Sequence, residues 1–200
     1  MTVQEALDGN FKLNMRHCAG FIDYFKKGFM LPLWCDLALK IGKKGTTRYQ
    51  YRFSDNQSSL TVHSFEQANN FLDVKEWQHL KINSAWKIFC KSNVDFLLVK
   101  PGWEIPLLEH FHYPAGVLNF KDNHALQVNM FAKRQEEDIE IILPFDMPLM
   151  HIIPLTERKV VLKFHIVTVN EFMRIDQFPQ ISFHGAYYTA KKKLRSRLGK

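Results

Sequence analysis

Short alternating segments, each closed by turn-forming residues, confine this chain to a β-rich fold. Leu37, Leu39 and Ile41 fall at every second position, Gly42 to Gly45 follows, and Arg48 to Phe53 offers a return segment. A period of two places alternate side chains on one face of a strand, so this stretch reads as a hairpin with one buried side. Further strands are predicted at Leu60 to His63, Ala85 to Cys90, Phe96 to Val99, Val117 to Phe120, Ala125 to Phe131, Ile139 to Leu143 and Leu149 to Pro154. Another is predicted at Val160 to Val169, alternating through Val160, Leu162, Phe164 and Ile166. Many short strands at close spacing point to an antiparallel β-sandwich or barrel.

Helical signals are confined to short pieces. Residues 17–27 read as a helix carrying Phe21, Ile22, Tyr24 and Phe25, with Gly28 as its stop. Phe29 to Ile41 reads as one strand whose Pro32 marks an edge or a bulge. Residues 64–73 read as a helix capped by Ser64, and 170–180 as irregular or briefly helical. The expected architecture is mainly β, with a short N-terminal helix and a basic C-terminal helix. It divides into one β-rich domain over 1–185 and a tail over 186–200.

Charge is concentrated in that tail. The formal net charge is +7, yet Lys191, Lys192, Lys193, Arg195, Arg197 and Lys200 supply six cations with no acid among residues 186–200. Without them 27 − 6 = 21 basic residues face 20 acidic ones, a net of +1. Leu194, Leu198, Tyr187 and Ala190 share one side at helical spacing. Two readings stay open: a contact for an acidic protein or nucleic acid, or a helix docked on its own domain.

The three cysteines, Cys18, Cys35 and Cys90, are odd in number and form no CxxC pair, so neither a disulfide framework nor a structural zinc site is expected. Buried thiols in a reducing compartment are expected instead. The start, Met1-Thr2-Val3-Gln4-Glu5-Ala6-Leu7, lacks the basic end and apolar stretch of a leader, and no apolar run is long enough to span a bilayer. A cytoplasmic protein is expected, in the host cytoplasm if the source is viral.

One constellation carries potential chemistry. His110 and His112 lie two apart, which on a strand puts both on one face, and His151 or His165 could complete a divalent-metal site from another strand, His151 being the residue chosen. Cupins use such an arrangement, but with a carboxylate four or five residues after the second histidine, where Gly116 and Val117 stand here. Glu136-Glu137-Asp138 reads as a solvated turn, and Asp36 as an acid needing a partner such as an arginine. GxGxxG, Walker A, GxSxG and HExxH motifs are all missing.

Two resemblances add to this. Phe21-Ile22-Asp23-Tyr24-Phe25-Lys26-Lys27-Gly28 leading to Leu31-Pro32-Leu33-Trp34-Cys35-Asp36, with Gly116-Val117-Leu118 and Met147-Pro148-Leu149-Met150-His151-Ile152-Ile153-Pro154-Leu155, resembles uncharacterised proteins of marine phage and some bacterial genomes. That implies a viral or virus-derived protein in a bacterial host and brings no activity. Gly116-Val117-Leu118-Asn119, Leu126 to Phe131, and Asp146-Met147-Pro148 before His151-Ile152-Ile153 resemble the core of the dUTPase and dCTP-deaminase β-barrel family. By that resemblance Asn119 and Asp122 would be the nucleotide-site candidates. Asn119 replaces the family's water-activating aspartate, and an amide cannot serve as that base. The leading expectation is a non-catalytic binding or assembly protein, with homo-oligomers as one form. A cupin-like metalloenzyme and a nucleotide-binding barrel lacking its catalytic aspartate are the alternatives.

Overall fold

The structure, a computed structural model, describes residues 18–176 apart from 56–57, 63–72, 74, 103–104 and 122–123. It contains helix α1 (Ala19–Lys26), eleven strands and a second helix, α2 (Val169–Asp176). The strands are β1 (Phe29–Pro32), β2 (Leu37–Ile41), β3 (Tyr49–Phe53), β4 (Ser59–Thr61), β5 (Trp77–Lys87), β6 (Asp95–Val99), β7 (Phe111–His112), β8 (Gly116–Asn119), β9 (Ala125–Lys133), β10 (Ile139–Leu143) and β11 (Pro148–Pro154). A 3₁₀ turn, Pro106–His110, leads into β7.

The strands form three antiparallel sheets, ordered β1-β11-β6-β8, β10-β2-β3 and β4-β5-β9-β7. None of them is closed into a barrel. The chain clusters into two units, Met1–Val160 and Val161–Lys200. All eleven strands lie in the first. The boundary expected at 185/186, the helix expected at 64–73 and the whole basic tail fall outside the described residues. No helix among the described residues is long and apolar enough to cross a membrane.

Alternation explains the hairpin. In β2, Leu37, Leu39 and Ile41 are buried while Ala38 and Lys40 are exposed, and β2 pairs with β3 from Leu37–Phe53 to Ile41–Tyr49. By contrast, β11 is buried at five consecutive positions, Leu149 to Ile153: Met150 and Ile152 belong to the apolar cluster, while His151 on the opposite face is covered by Tyr24 and Phe25 of α1. A strand covered on both faces loses its alternation and reads as a continuous apolar run.

The predicted strand Phe29–Ile41 is two strands in different sheets. Pro32 marks the break: register shifts between Leu31 and Pro32 against β11, as a residue without a donor favours. Leu33 then carries the chain across, donating its N–H to the Met147 carbonyl and accepting from Asp146 N–H, both at 2.8 Å. β5 is longer than predicted, starting at Trp77 rather than Ala85. Residues 159–168 carry no strand at all, despite their alternation.

One apolar cluster joins the sheets, with Leu33, Leu37, Leu80, Ile82, Val128, Met130, Leu143 and Leu149 all fully buried. Two polar struts cross it. Trp86 Nε1 of β5 donates to the Pro32 carbonyl at 3.0 Å. Arg134, just beyond β9 and only 1% exposed, donates to the carbonyls of Gly42 (2.8 Å) and Arg48 (3.1 Å) and to Gln78 Oε1 (2.5 Å). Its guanidinium thereby ties the β2–β3 turn to β5. Several donors in a rigid planar fork suit this task, which an ammonium could not perform.

Candidate functional site

The residues expected to chelate a metal are not brought together. His110 ends the 3₁₀ turn and is exposed. His112, in β7, is exposed with its ring against Trp77 at 6.2 Å between centroids. His151, in β11 of another sheet, has no exposed surface. Its Nε2 donates to the Lys27 carbonyl at 2.8 Å, and its ring sits edge-on to Tyr24 at 4.8 Å. Among the described residues no three His, Cys, Asp or Glu side chains are grouped so as to hold a metal ion. His110 and His112 belong to a turn and a two-residue strand rather than to one strand face.

His151 instead anchors α1. It receives Tyr24 and Phe25 on its ring and holds the carbonyl at the helix end. Burial lowers its basicity below the usual histidine value, while the bond to Lys27 acts in the opposite direction. Its Nδ1 is buried with no hydrogen-bond partner among the described residues, as in a neutral imidazole protonated on Nε2.

The nucleotide candidates divide. Asn119 ends β8 and donates Nδ2 to Asp95 Oδ1 at 2.9 Å and to Asn93 Oδ1 at 3.2 Å, while its own Oδ1 accepts from Lys121 N–H. Those bonds fix a strand end and a turn. Asp122 lies outside the described residues, as do Lys191, Lys192, Lys193, Arg195 and Arg197.

Asp36, Glu136 and Asp138 brace turns. Asp36 is exposed rather than buried, and its partner is no arginine: Oδ1 accepts the Phe145 N–H at 2.7 Å, bracing a turn in which Asp146 has a φ of 63°. Glu136 pairs with Lys44 at 2.7 Å, and Asp138 accepts from Lys43 N–H at 2.9 Å. Cys35 is buried and Cys90 half-buried, but Cys18 is exposed, contrary to expectation. Burial and then the nearby Asp55 push the Cys35 thiol upward, away from a reactive thiolate.

Beside α1 lies an open, largely apolar hollow of about 560 Å³, lined by Phe21, Tyr24, Phe25 and Gly102 together with Lys100 and Cys18. It could seat an apolar group beside a single cation.

A second feature escaped the sequence reading because it looked like an ordinary strand. Val160, Val161, Leu162, Phe164, Ile166, Val167 and Val169 are all exposed, Phe164 at 74% and Ile166 completely. Isolated exposed apolar residues are normal, whereas a contiguous run of this length is unusual. Its absence of proline and glycine, together with its β-branched content, suits it to an extended, strand-forming role. No protein-family model, curated protein or solved structure matches the chain.

Proposed function

We propose that this is a non-catalytic binding and assembly protein whose working surface is the extended apolar segment 160–169. The exposure of that segment carries the reading. Alternating Val, Leu, Phe and Ile side chains facing water are unfavourable unless another surface covers them, and each fully covered side chain contributes about 1.5–3 kcal/mol. The basic residues Lys191, Lys192, Lys193, Arg195 and Arg197 belong to the same reading as a salt-sensitive contact for an acidic surface.

The test compares the mass in solution of the full chain with that of a Phe164→Ser, Ile166→Ser variant across protein concentration. The full chain is expected to form a defined assembly, and the variant to lose it with an unchanged unfolding midpoint. A full chain that stays monomeric at every concentration, with the same elution as the variant, would remove the reading.

A further inference from the structure

Six edge strands end the three sheets: β1 and β8, β10 and β3, β4 and β7. Each has an unpaired side among the described residues, and such a side is a template for an added strand. Only β10 brings an acidic side chain to it, Glu140, and Asp138 directly precedes it. Segment 160–165 is its charge complement, with Lys163 and His165 as its two ionisable groups.

Resting on the assembly reading above, we propose that residues 160–165 add as an antiparallel strand to the free edge of β10 in a second copy of this chain. The register is specific. Leu143 faces Val160, Ile142 faces Val161, Ile141 faces Leu162, Glu140 faces Lys163, Ile139 faces Phe164, and Asp138 faces His165. Every apolar residue then meets an apolar one, and both acids meet a basic partner.

The two faces agree as well. Ile141 and Leu143 are buried while Glu140 and Ile142 are exposed at their outer face. In this register Val160, Leu162 and Phe164 extend the buried face, and Val161, Lys163 and His165 extend the outer one. A slip of one residue would set Lys163 beside Ile139 or Ile141 on the buried face, at the cost of an unpaired cation. Parallel pairing of Glu140 with Lys163 would set Ile142 against His165. The antiparallel register is therefore the one that satisfies both strands.

A second copy is the occupant because each half stays exposed among the described residues. Glu140 keeps 71% of its side chain exposed even with Lys40 at 2.9 Å, Ile142 is 64% exposed, and Phe164 is open to water. Each copy offers one segment and one edge, so reciprocal exchange between two copies satisfies both and closes with two-fold symmetry.

The experiment measures dimer dissociation of the full chain by sedimentation, for Glu140→Lys, Lys163→Glu and the double exchange. Each single change is expected to weaken the dimer by roughly tenfold or more, and the double exchange to recover most of the loss. Unfolding midpoints of the three variants control for folding. In a Cys18→Ser, Cys90→Ser background, Ile142→Cys with Val161→Cys is expected to oxidise to a covalent dimer, since directly opposed residues are within bridging range. A disulfide forming within one chain would overturn the second-copy assignment. Self-association indifferent to the charge changes would overturn this edge and leave the assembly reading standing. A chain that is monomeric throughout would remove both.

Discussion

His151 Nε2 donates to the Lys27 carbonyl at 2.8 Å, joining the middle of β11 to the end of α1 across 124 residues of sequence. Since burial lowers the imidazole's basicity in the fold, the unfolded chain takes up the proton first as pH drops. Stability from this group is complete above the unfolded value of about 6.5 and declines below it, by at most about 1.4 kcal/mol per pH unit, until the folded value is reached. Urea midpoints at pH 7.5 and 5.0 should fall more for the natural chain than for His151→Gln, which keeps a donor and does not titrate. Equal falls would rule out this role.

Arg134→Met should be among the most damaging surface-neutral changes in the molecule. It leaves the Gly42 and Arg48 carbonyls and Gln78 Oε1 without that donor in a dry environment. The expected loss is about 3 kcal/mol or more, measured by denaturant unfolding. Arg134→Lys should recover only a minor part, because one ammonium cannot reach three acceptors in a fixed plane.

Gly28→Ala and Gly45→Ala separate strain from collision. Both glycines have positive φ, 85° and 77°. A Cβ at Gly28 would run into the Ile152 carbonyl oxygen, whereas at Gly45 nothing lies within 4 Å. Gly45→Ala should cost about 1–2 kcal/mol from backbone conformation alone, and Gly28→Ala clearly more. Similar losses would show that the β1–β11 approach is looser than described.

Thiol reactivity should follow burial. In a Cys90→Ser background, with a chromogenic disulfide reagent at pH 8, the exposed Cys18 should react fast, and Cys35 only when the protein unfolds. Adding Cys18→Ser should remove the fast phase. A fast phase that survives both changes would contradict the buried position of Cys35.

Some of the strand content was legible because β2 and β10 each expose one face, and a half-buried strand writes its alternation into the sequence. The first half of β5 was missed because its buried positions include Gln78 and Ser84, polar residues that blur the period. Gln78 is buried to meet Arg134, and no local pattern announces a bond spanning 56 residues. That His110 and His112 share no strand face was hidden for the converse reason: close spacing in sequence says nothing of strand membership when the strand is two residues long. Val160 to Val169 had the right period and no partner strand within the described chain, so periodicity predicted capacity to pair rather than pairing.

The pairing of Phe29 with Ile152 and of Met30 with His151 places the first and last of the described strands side by side. During synthesis, β1 leaves the ribosome long before the strand that flanks it, so its sheet is the last to close. Until then β1 and β6 are both open edges, and the nascent chain carries aggregation-prone surface that the finished one hides. A chain stopped just short of β11 would keep the β2–β3 hairpin and the β5–β9 pair yet lack the strand that links β1 to β6. Cellular quality control, rather than loss of a binding surface, would be the first system to register such a truncation.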